Sequence, residues 1–270
     1  MKKIVLLIAL LAASLAIHAQ NSIEGKFLTK YNAVPGNYNF WVYTPGDYEP
    51  GGHPLPLVIF LHGRSLCGRD LNKVKRYGVL NAIERGKIVP AFVLAPQNPG
   101  GAWNPEKLNG LLEWMKAQYP IDTTRVYVLG MSLGGYGTMD FAGTYPDKVA
   151  AAMALCGGTT LKDLDGLGHL PLWIMHGTAD RAVPLSCSTK VADALKKSNN
   201  DRLLRCWWVK GGSHGILARL FYLQKTYDWL FSHSLADSPR EVDKSFDITM
   251  DDIRTTYEEL KWSNDLFEDD

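Results

Sequence analysis

The feature that most constrains the fold is a regular alternation of short apolar runs with longer amphipathic segments. The apolar runs, each four to six residues long, begin at Phe40, Leu57, Ala91, Val126, Ala150, Leu172 and Cys206. Several are apolar at consecutive positions, which is typical of strands covered on both faces in a parallel sheet. Helix-length segments lie between or after them, at 108–119, 135–145, 188–197 and 217–231. The pattern predicts an α/β fold with a doubly wound, mostly parallel sheet and helices on both faces.

The first nineteen residues have the pattern of a secretory signal peptide. Lys2 and Lys3 precede an apolar run from residue 4 to residue 17, and small residues follow up to Ala19. This run is shorter than the roughly 20 residues that a spanning helix needs, and no later stretch is long and apolar enough to span a membrane. We expect residues 1–19 to be removed, giving an exported, periplasmic or extracellular protein with its folded domain at residues 20–235.

Residues 236–270 form an acidic tail, in which twelve acidic residues outnumber four basic ones. Thr249 and Asp252 have the spacing of a helix capping pair. One face of the helix would carry the apolar side chains of Ile253, Tyr257, Leu260 and Phe267. We expect a final helix packed on the domain, and the alternative is a helix that docks a partner.

Composition excludes several classes of function. The formal net charge of the 270 residues is +1, so no basic surface for nucleic acid is expected. The chain has no Cys-x-x-Cys pair and no Cys/His cluster of zinc type, so no metal is predicted. Disulfides and free thiols are both open for Cys67, Cys156, Cys187 and Cys206, because an exported chain meets an oxidising compartment. The oligomeric state is open as well.

One motif indicates a nucleophile. The apolar run at 126–129 leads into Gly130-Met-Ser132-Leu-Gly134, and a helix-length segment follows. A serine on a tight strand-to-helix turn must adopt strained backbone angles, and glycines two residues to either side remove side chains that would clash. The helix N-terminus also adds positive potential where an oxyanion would develop. Ser132 is therefore the predicted nucleophile.

A serine nucleophile needs a base to take its proton and an acid to orient that base. Asp180 follows the apolar run at 172–175, and His214 follows the run at 206–209. Both would lie at the carboxyl ends of strands, where open α/β sheets place their sites. Asp180 is therefore the predicted acid and His214 the predicted base.

Other histidines and acids have simpler interpretations. His62 and His176 each precede a glycine at a strand end, where a histidine commonly braces the loop by hydrogen bonds. The competing acids lie in a loop or inside a helix: Asp163, Asp165 and Asp193.

Acyl transfer also requires hydrogen-bond donors for an oxyanion, and these are usually backbone N–H groups. Leu133 supplies one by its position after the nucleophile, and Arg64, in the loop after the run at 57–61, is the candidate for the second. A simply exposed Arg64 is the alternative. Trp103, in a glycine-rich loop, is a candidate for stacking on a sugar or phenolic group of a substrate, and plain packing is an equally open interpretation.

Together these motifs resemble the secreted α/β-hydrolase esterases, a group that includes feruloyl and acetyl xylan esterases, polyhydroxybutyrate depolymerases and predicted peptidases. The resemblance covers roughly residues 39–232. It rests on Leu-Pro-Leu-Val-Ile-Phe-Leu-His-Gly at 55–63, Leu-Ala-Pro-Gln at 94–97, Gly-Met-Ser-Leu-Gly-Gly-Tyr-Gly-Thr at 130–138, His-Gly-Thr-Ala-Asp-Arg-Ala-Val-Pro at 176–184 and Ser-His-Gly at 213–215. One departure is the loop Gly-Arg-Ser-Leu-Cys-Gly from residue 63, where similar proteins often carry smaller residues before the final glycine.

The resemblance implies an α/β-hydrolase fold for residues 20–235 and an esterase that needs no cofactor. Its substrates would be small-molecule or polysaccharide esters, with feruloyl or acetyl esters of carbohydrates favoured. A serine peptidase of the same fold and a non-catalytic binding module are the alternatives, and transfer of the acyl group to another acceptor would use the same residues.

Overall fold

The computed structural model describes residues 25–258 and Leu260. The predicted signal peptide at 1–19 and the predicted helix position Phe267 lie outside these residues. Within the described part of the chain, no helix combines the length and the apolar character that crossing a membrane requires.

A single sheet of eight strands forms the centre of the fold. Its strands are β1 (Lys26–Lys30), β2 (Asn39–Thr44), β3 (Leu55–Leu61), β4 (Phe92–Gln97), β5 (Ile121–Met131), β6 (Ala151–Leu155), β7 (Leu172–Gly177) and β8 (Leu204–Val209). Their order across the sheet is β1-β2-β4-β3-β5-β6-β7-β8. The pairs β1–β2 and β2–β4 are antiparallel, and all the other pairs are parallel. The predicted mostly parallel sheet is confirmed.

The α-helices within the described residues are α1 (Val79–Glu84), α2 (Pro105–Gln118), α3 (Leu133–Thr144), α4 (Ser186–Lys197), α5 (Gln224–Phe231) and α6 (Met250–Thr255). Short 3-10 turns occur at Arg64–Leu66, Leu71–Lys75, Asp165–His169 and Gly215–Tyr222. The segment predicted as one helix at 217–231 is therefore divided. Leu223 has an extended backbone (φ −86°, ψ 130°), which ends the 3-10 turn before α5 begins.

Helices cover both faces of the sheet, which explains the consecutive apolar residues of its strands. Along β3, Val58 and Phe60 pack on one face, whereas Leu57, Ile59 and Leu61 pack on the other. The first face is covered by α1, α5 and α6, and the second by α2, α3 and α4. Every position of β3 is buried, so a polar side chain in this part of the sheet can reach solvent only where the strand ends.

The tail from residue 236 packs on the first face of the sheet. The Arg240 guanidinium donates hydrogen bonds to the carbonyl oxygens of Val149 (2.9 Å) and His169 (2.8 Å). Thr249 and Asp252 form the predicted capping box at the start of α6. Ile253 is completely buried, so its side chain is not available for a partner.

Ile253→Ala is expected to lower the free energy of unfolding by roughly 2–5 kcal/mol, because it removes buried methyl groups and leaves a cavity beneath α6. Ile88→Ala makes the same change at a position that is 74% exposed. It should alter stability by less than about 0.5 kcal/mol. Chemical denaturation of both variants measures the difference, and equal stabilities would contradict the packing of α6.

Candidate active site

Ser132 lies at the turn from β5 into α3. Its backbone has φ 61° and ψ −120°, a positive φ that residues other than glycine rarely adopt. Its N–H donates to the carbonyl oxygen of Leu155, at the end of β6, at 2.8 Å. A Cβ on Gly134 would overlap the carbonyl of Leu61, and one on Gly130 would overlap the backbone of Gly134. Both glycines of the motif are thus required by the close crossing that holds the serine.

Asp180 lies in the loop after β7, and its side chain is completely enclosed. One carboxylate oxygen, Oδ1, accepts from the backbone N–H groups of Ala182 (2.8 Å) and Val183 (2.9 Å). The other, Oδ2, lies 2.6 Å from Nδ1 of His214. Burial by itself raises the pKa of this carboxyl, but the hydrogen bonds from Val183, His214 and Ala182 outweigh it and hold the pKa below its usual range. Asp180 is therefore ionised at neutral pH.

His214 has the contacts that a general base requires. The carboxylate of Asp180 can only accept, so the Nδ1 of His214 carries the proton and the lone pair is on Nε2. The ring is 25% exposed, and in the described part of the chain Nε2 has no hydrogen-bond partner. The carbonyl oxygen of His214 lies 3.9 Å from Sγ of Cys156, the residue after β6. Ser132 and His214 therefore both contact the carboxyl end of β6, and the structure brings all three predicted residues to one edge of the sheet.

The two other histidines at this edge have no nitrogen available for proton transfer. His62 donates from Nδ1 to the carbonyl oxygen of Gly63 (2.7 Å), and its Nε2 accepts from the N–H of Asn98 (3.0 Å). Burial lowers the pKa of His62 to about 4, so the ring is neutral at physiological pH. His176 is completely buried, with Ser188 on one nitrogen. Both histidines make the bracing contacts that their positions in the sequence predict.

The two predicted oxyanion donors flank Ser132, the predicted nucleophile. Leu133 is the first residue of α3, so no helical carbonyl is available to its N–H. Arg64 begins the 3-10 turn after β3 and has an exposed side chain. A Cβ built on Gly63 would lie 3.4 Å from Cβ of Ser132, so this loop lies directly beside Ser132. Tyr77 was not predicted to contribute to the site. Its hydroxyl accepts a hydrogen bond from the N–H of Gly63 at 3.0 Å and holds the loop in place.

Trp103 is buried, which favours the packing interpretation over stacking on a substrate. The side chain is only 3% exposed, and its indole N–H donates to the carbonyl oxygen of His62 at 3.3 Å. Its ring makes edge contacts with Tyr38 and His62, and it lies against the backbone of α3 at Gly137. The glycine-rich loop folds inward, so the indole braces the loop that carries Gly63 and Arg64.

One group of side chains among the described residues has the composition of a metal site. Ligand atoms of Cys156, His176 and Asp180 lie within 4.8 Å of one another. Both nitrogens of His176 already contact other groups, and burial raises the pKa of the Cys156 thiol to about 12. Metals bind the thiolate, so this group is better described as a hydrogen-bonded cluster. All four cysteines are free thiols in the structure.

Two cavities open beside these residues. The larger, of about 560 Å³, is lined by Ala179, Arg181, Ala182, Ser213, His214 and Gly215. The smaller, of about 250 Å³, includes Tyr136, one helical turn after Ser132, together with Thr159 and Lys190.

Comparison with known proteins identifies the fold. A solved structure of a thermostable esterase superposes with a TM-score of 0.63 at 26% sequence identity, covering 78% of this chain and 63% of that chain. The chain has the α/β-hydrolase fold. A family model described as phospholipase/carboxylesterase matches residues 106–230 of this chain, a range that includes Ser132, Asp180 and His214.

Curated relatives of this chain include two enzymes whose names describe action on esters. Poly(3-hydroxyalkanoate) depolymerase C of Paucimonas lemoignei is 28% identical over 149 residues, covering 48% of this chain and 34% of its own. Probable acetylxylan esterase A of Aspergillus flavus is 26% identical over 175 residues, covering 56% of this chain and 54% of its own. The chain thus spans about a third to a half of the length of these relatives.

The ionised state of Asp180 predicts a pH-dependent contribution to stability. Because its folded pKa is below the unfolded value of about 3.9, the carboxylate stabilises the fold above that pH, and the contribution is lost as the pH falls through the folded pKa. Asp180→Asn should therefore lower the Tm most at about pH 7 and progressively less towards about pH 3. Asp193→Asn, which changes an exposed carboxylate, is the control. A Tm difference for Asp180→Asn that does not vary with pH would contradict the assignment.

Proposed function

We propose that the protein is an exported serine esterase that hydrolyses acetyl or feruloyl esters of carbohydrates. The observation that carries the proposal is the hydrogen bond between the enclosed Asp180 carboxylate and His214, at the same sheet edge as the strained Ser132. A buried acid, a partly exposed histidine and a serine held on a tight turn are the parts of an activated nucleophile.

In the proposed mechanism, Nε2 of His214 takes the proton of Ser132 as Oγ attacks the ester carbonyl. The oxyanion of the tetrahedral intermediate accepts hydrogen bonds from the N–H groups of Leu133 and Arg64. The C–O bond to the alcohol then breaks, and His214 gives its proton to the departing alcohol. Water, deprotonated by His214, attacks the acyl-enzyme in the same way, releasing the acid and restoring the serine. No step requires a cofactor.

Three observations support the substrate class. The larger cavity has the volume of a small-ligand site, and Arg181 supplies a donor for hydroxyl or carboxylate groups at its rim. The matching family model is described as phospholipase/carboxylesterase, and one relative is named as an acetylxylan esterase. The N-terminal pattern typical of a signal peptide supports export, which would bring the enzyme to polymeric esters.

Ser132→Ala is expected to reduce the hydrolysis of an activated acetyl ester by at least about a thousandfold, because only binding and oxyanion donors remain. Circular dichroism should show an unchanged fold. Ser198→Ala makes the same change at an exposed position at the end of α4 and should retain the wild-type rate. An Ser132→Ala enzyme with more than a tenth of the wild-type rate would exclude the serine as nucleophile.

The substrate class is tested by a panel of acetyl-xylooligosaccharide, methyl ferulate, a phospholipid and an aminoacyl amide, each assayed for kcat/KM. The proposal requires the highest value for an acetyl or feruloyl ester. A preference for the aminoacyl amide would identify a peptidase instead.

A further inference from the structure

His176 is a completely buried histidine that lies behind Asp180 and has no part in the mechanism above. Its Nε2 lies 3.2 Å from Oδ2 of Asp180 and 3.0 Å from the carbonyl oxygen of Val183. On the other side of the ring, Nδ1 lies 2.7 Å from Oγ of Ser188, on α4. The hydroxyl of Ser188 donates in turn to the carbonyl oxygen of Gly157 at 2.6 Å.

The partners of the ring determine where its protons must be. Ser188 has a single hydroxyl proton, and the carbonyl of Gly157 can only accept, so that proton points to Gly157. The oxygen of Ser188 is then an acceptor for Nδ1–H of His176. At Nε2 both partners, the Asp180 carboxylate and the Val183 carbonyl, are acceptors as well. Every contact is satisfied only when both ring nitrogens carry a proton.

We propose that His176 is a buried imidazolium that pairs with Asp180 and acts as a second positioning residue for the site. This inference rests on the proposed function of Asp180 and His214. In the resting enzyme Oδ2 of Asp180 then lies between two histidines: the charged His176 at 3.2 Å, and the neutral His214, which donates from Nδ1 and can accept a proton at Nε2.

The pair would add to the hydrogen bonds from Val183, His214 and Ala182 that keep the enclosed Asp180 carboxylate ionised. An isolated buried carboxylate is strongly unfavourable unless a charged, hydrogen-bonded partner compensates it. His214 is neutral when it acts as a base, so it cannot compensate the charge, whereas an imidazolium at His176 makes the buried pair neutral. The other groups facing the pair carry no charge, since burial raises the pKa of the Cys156 thiol to about 12 and Ser188 does not titrate.

The positive charge on His176 also affects the basicity of His214. It offsets the field of Asp180 that would otherwise favour the protonated form of His214. It therefore keeps His214 in the neutral form that can accept the proton of Ser132. Removing the charge should favour protonation of His214, so that the acid limb of the activity profile moves to higher pH.

Nuclear magnetic resonance of protein carrying ¹⁵N-labelled histidine tests the protonation state without any substrate. The signals of His176 are assigned by their absence in His176→Gln. At about pH 7, the wild-type spectrum should show a proton on each nitrogen of this ring. A single proton, on either nitrogen, would overturn the proposal. This readout is independent of whether the protein hydrolyses esters, so an inactive wild type would contradict the proposed function alone.

Kinetics test the positioning role. In His176→Gln the acid limb of kcat/KM for an acetyl ester should move to higher pH by about one unit. Ser188→Ala, which removes the acceptor of Nδ1–H and keeps the ring, should move the limb in the same direction by less. His169→Gln changes an exposed histidine paired with Asp165 and should leave the profile unchanged. The opposite result is a loss of rate at every pH, with the acid limb at its wild-type pH, in both His176→Gln and Ser188→Ala. It would mean that the role of His176 is merely structural and would overturn the proposal.

Discussion

The approach of Gly134 to the carbonyl oxygen of Leu61 brings the start of α3 against the end of β3, with no space for a side chain between them. The rest of the site depends on this crossing. It forces the preceding turn to be tight, which gives Ser132 its positive φ and places the serine at the sheet edge. It also brings the N–H of Leu133 and the loop at Gly63 to the same place, so that the proposed nucleophile and the proposed oxyanion donors lie together.

The parallel arrangement of β5 to β8 supplies the other half of the site. The loops after β6, β7 and β8 meet at one edge, where Cys156, Asp180 and His214 come into contact. Burial then decides what each histidine at this edge can do. His62 is neutral and has both nitrogens occupied, whereas His214 retains one unoccupied nitrogen and a partly exposed ring. His176 is as deeply buried as His62, so the histidines at this edge differ by their hydrogen-bond partners as well as by depth.

The sequence predicts what depends on local patterns. The central strands were recognisable because they are apolar on both faces, and the serine motif because its glycines mark a tight turn. Features decided by long-range packing were not predictable. The edge strand β1 is largely exposed and has no apolar run, Trp103 is buried because its loop folds inward, and the contact of Tyr77 with Gly63 spans fourteen residues. The second contact of Asp180, with His176, depends on the turn between them and on α4 beyond it.

Reaction with a fluorophosphonate probe is the most direct test of whether Ser132 is chemically activated by its surroundings. Intact mass spectrometry of the labelled protein should show one adduct, and peptide mapping should locate it on Ser132, because an ordinary serine hydroxyl does not react with such probes at neutral pH. A folded protein that gains no adduct, or that carries it on another residue, would contradict the account.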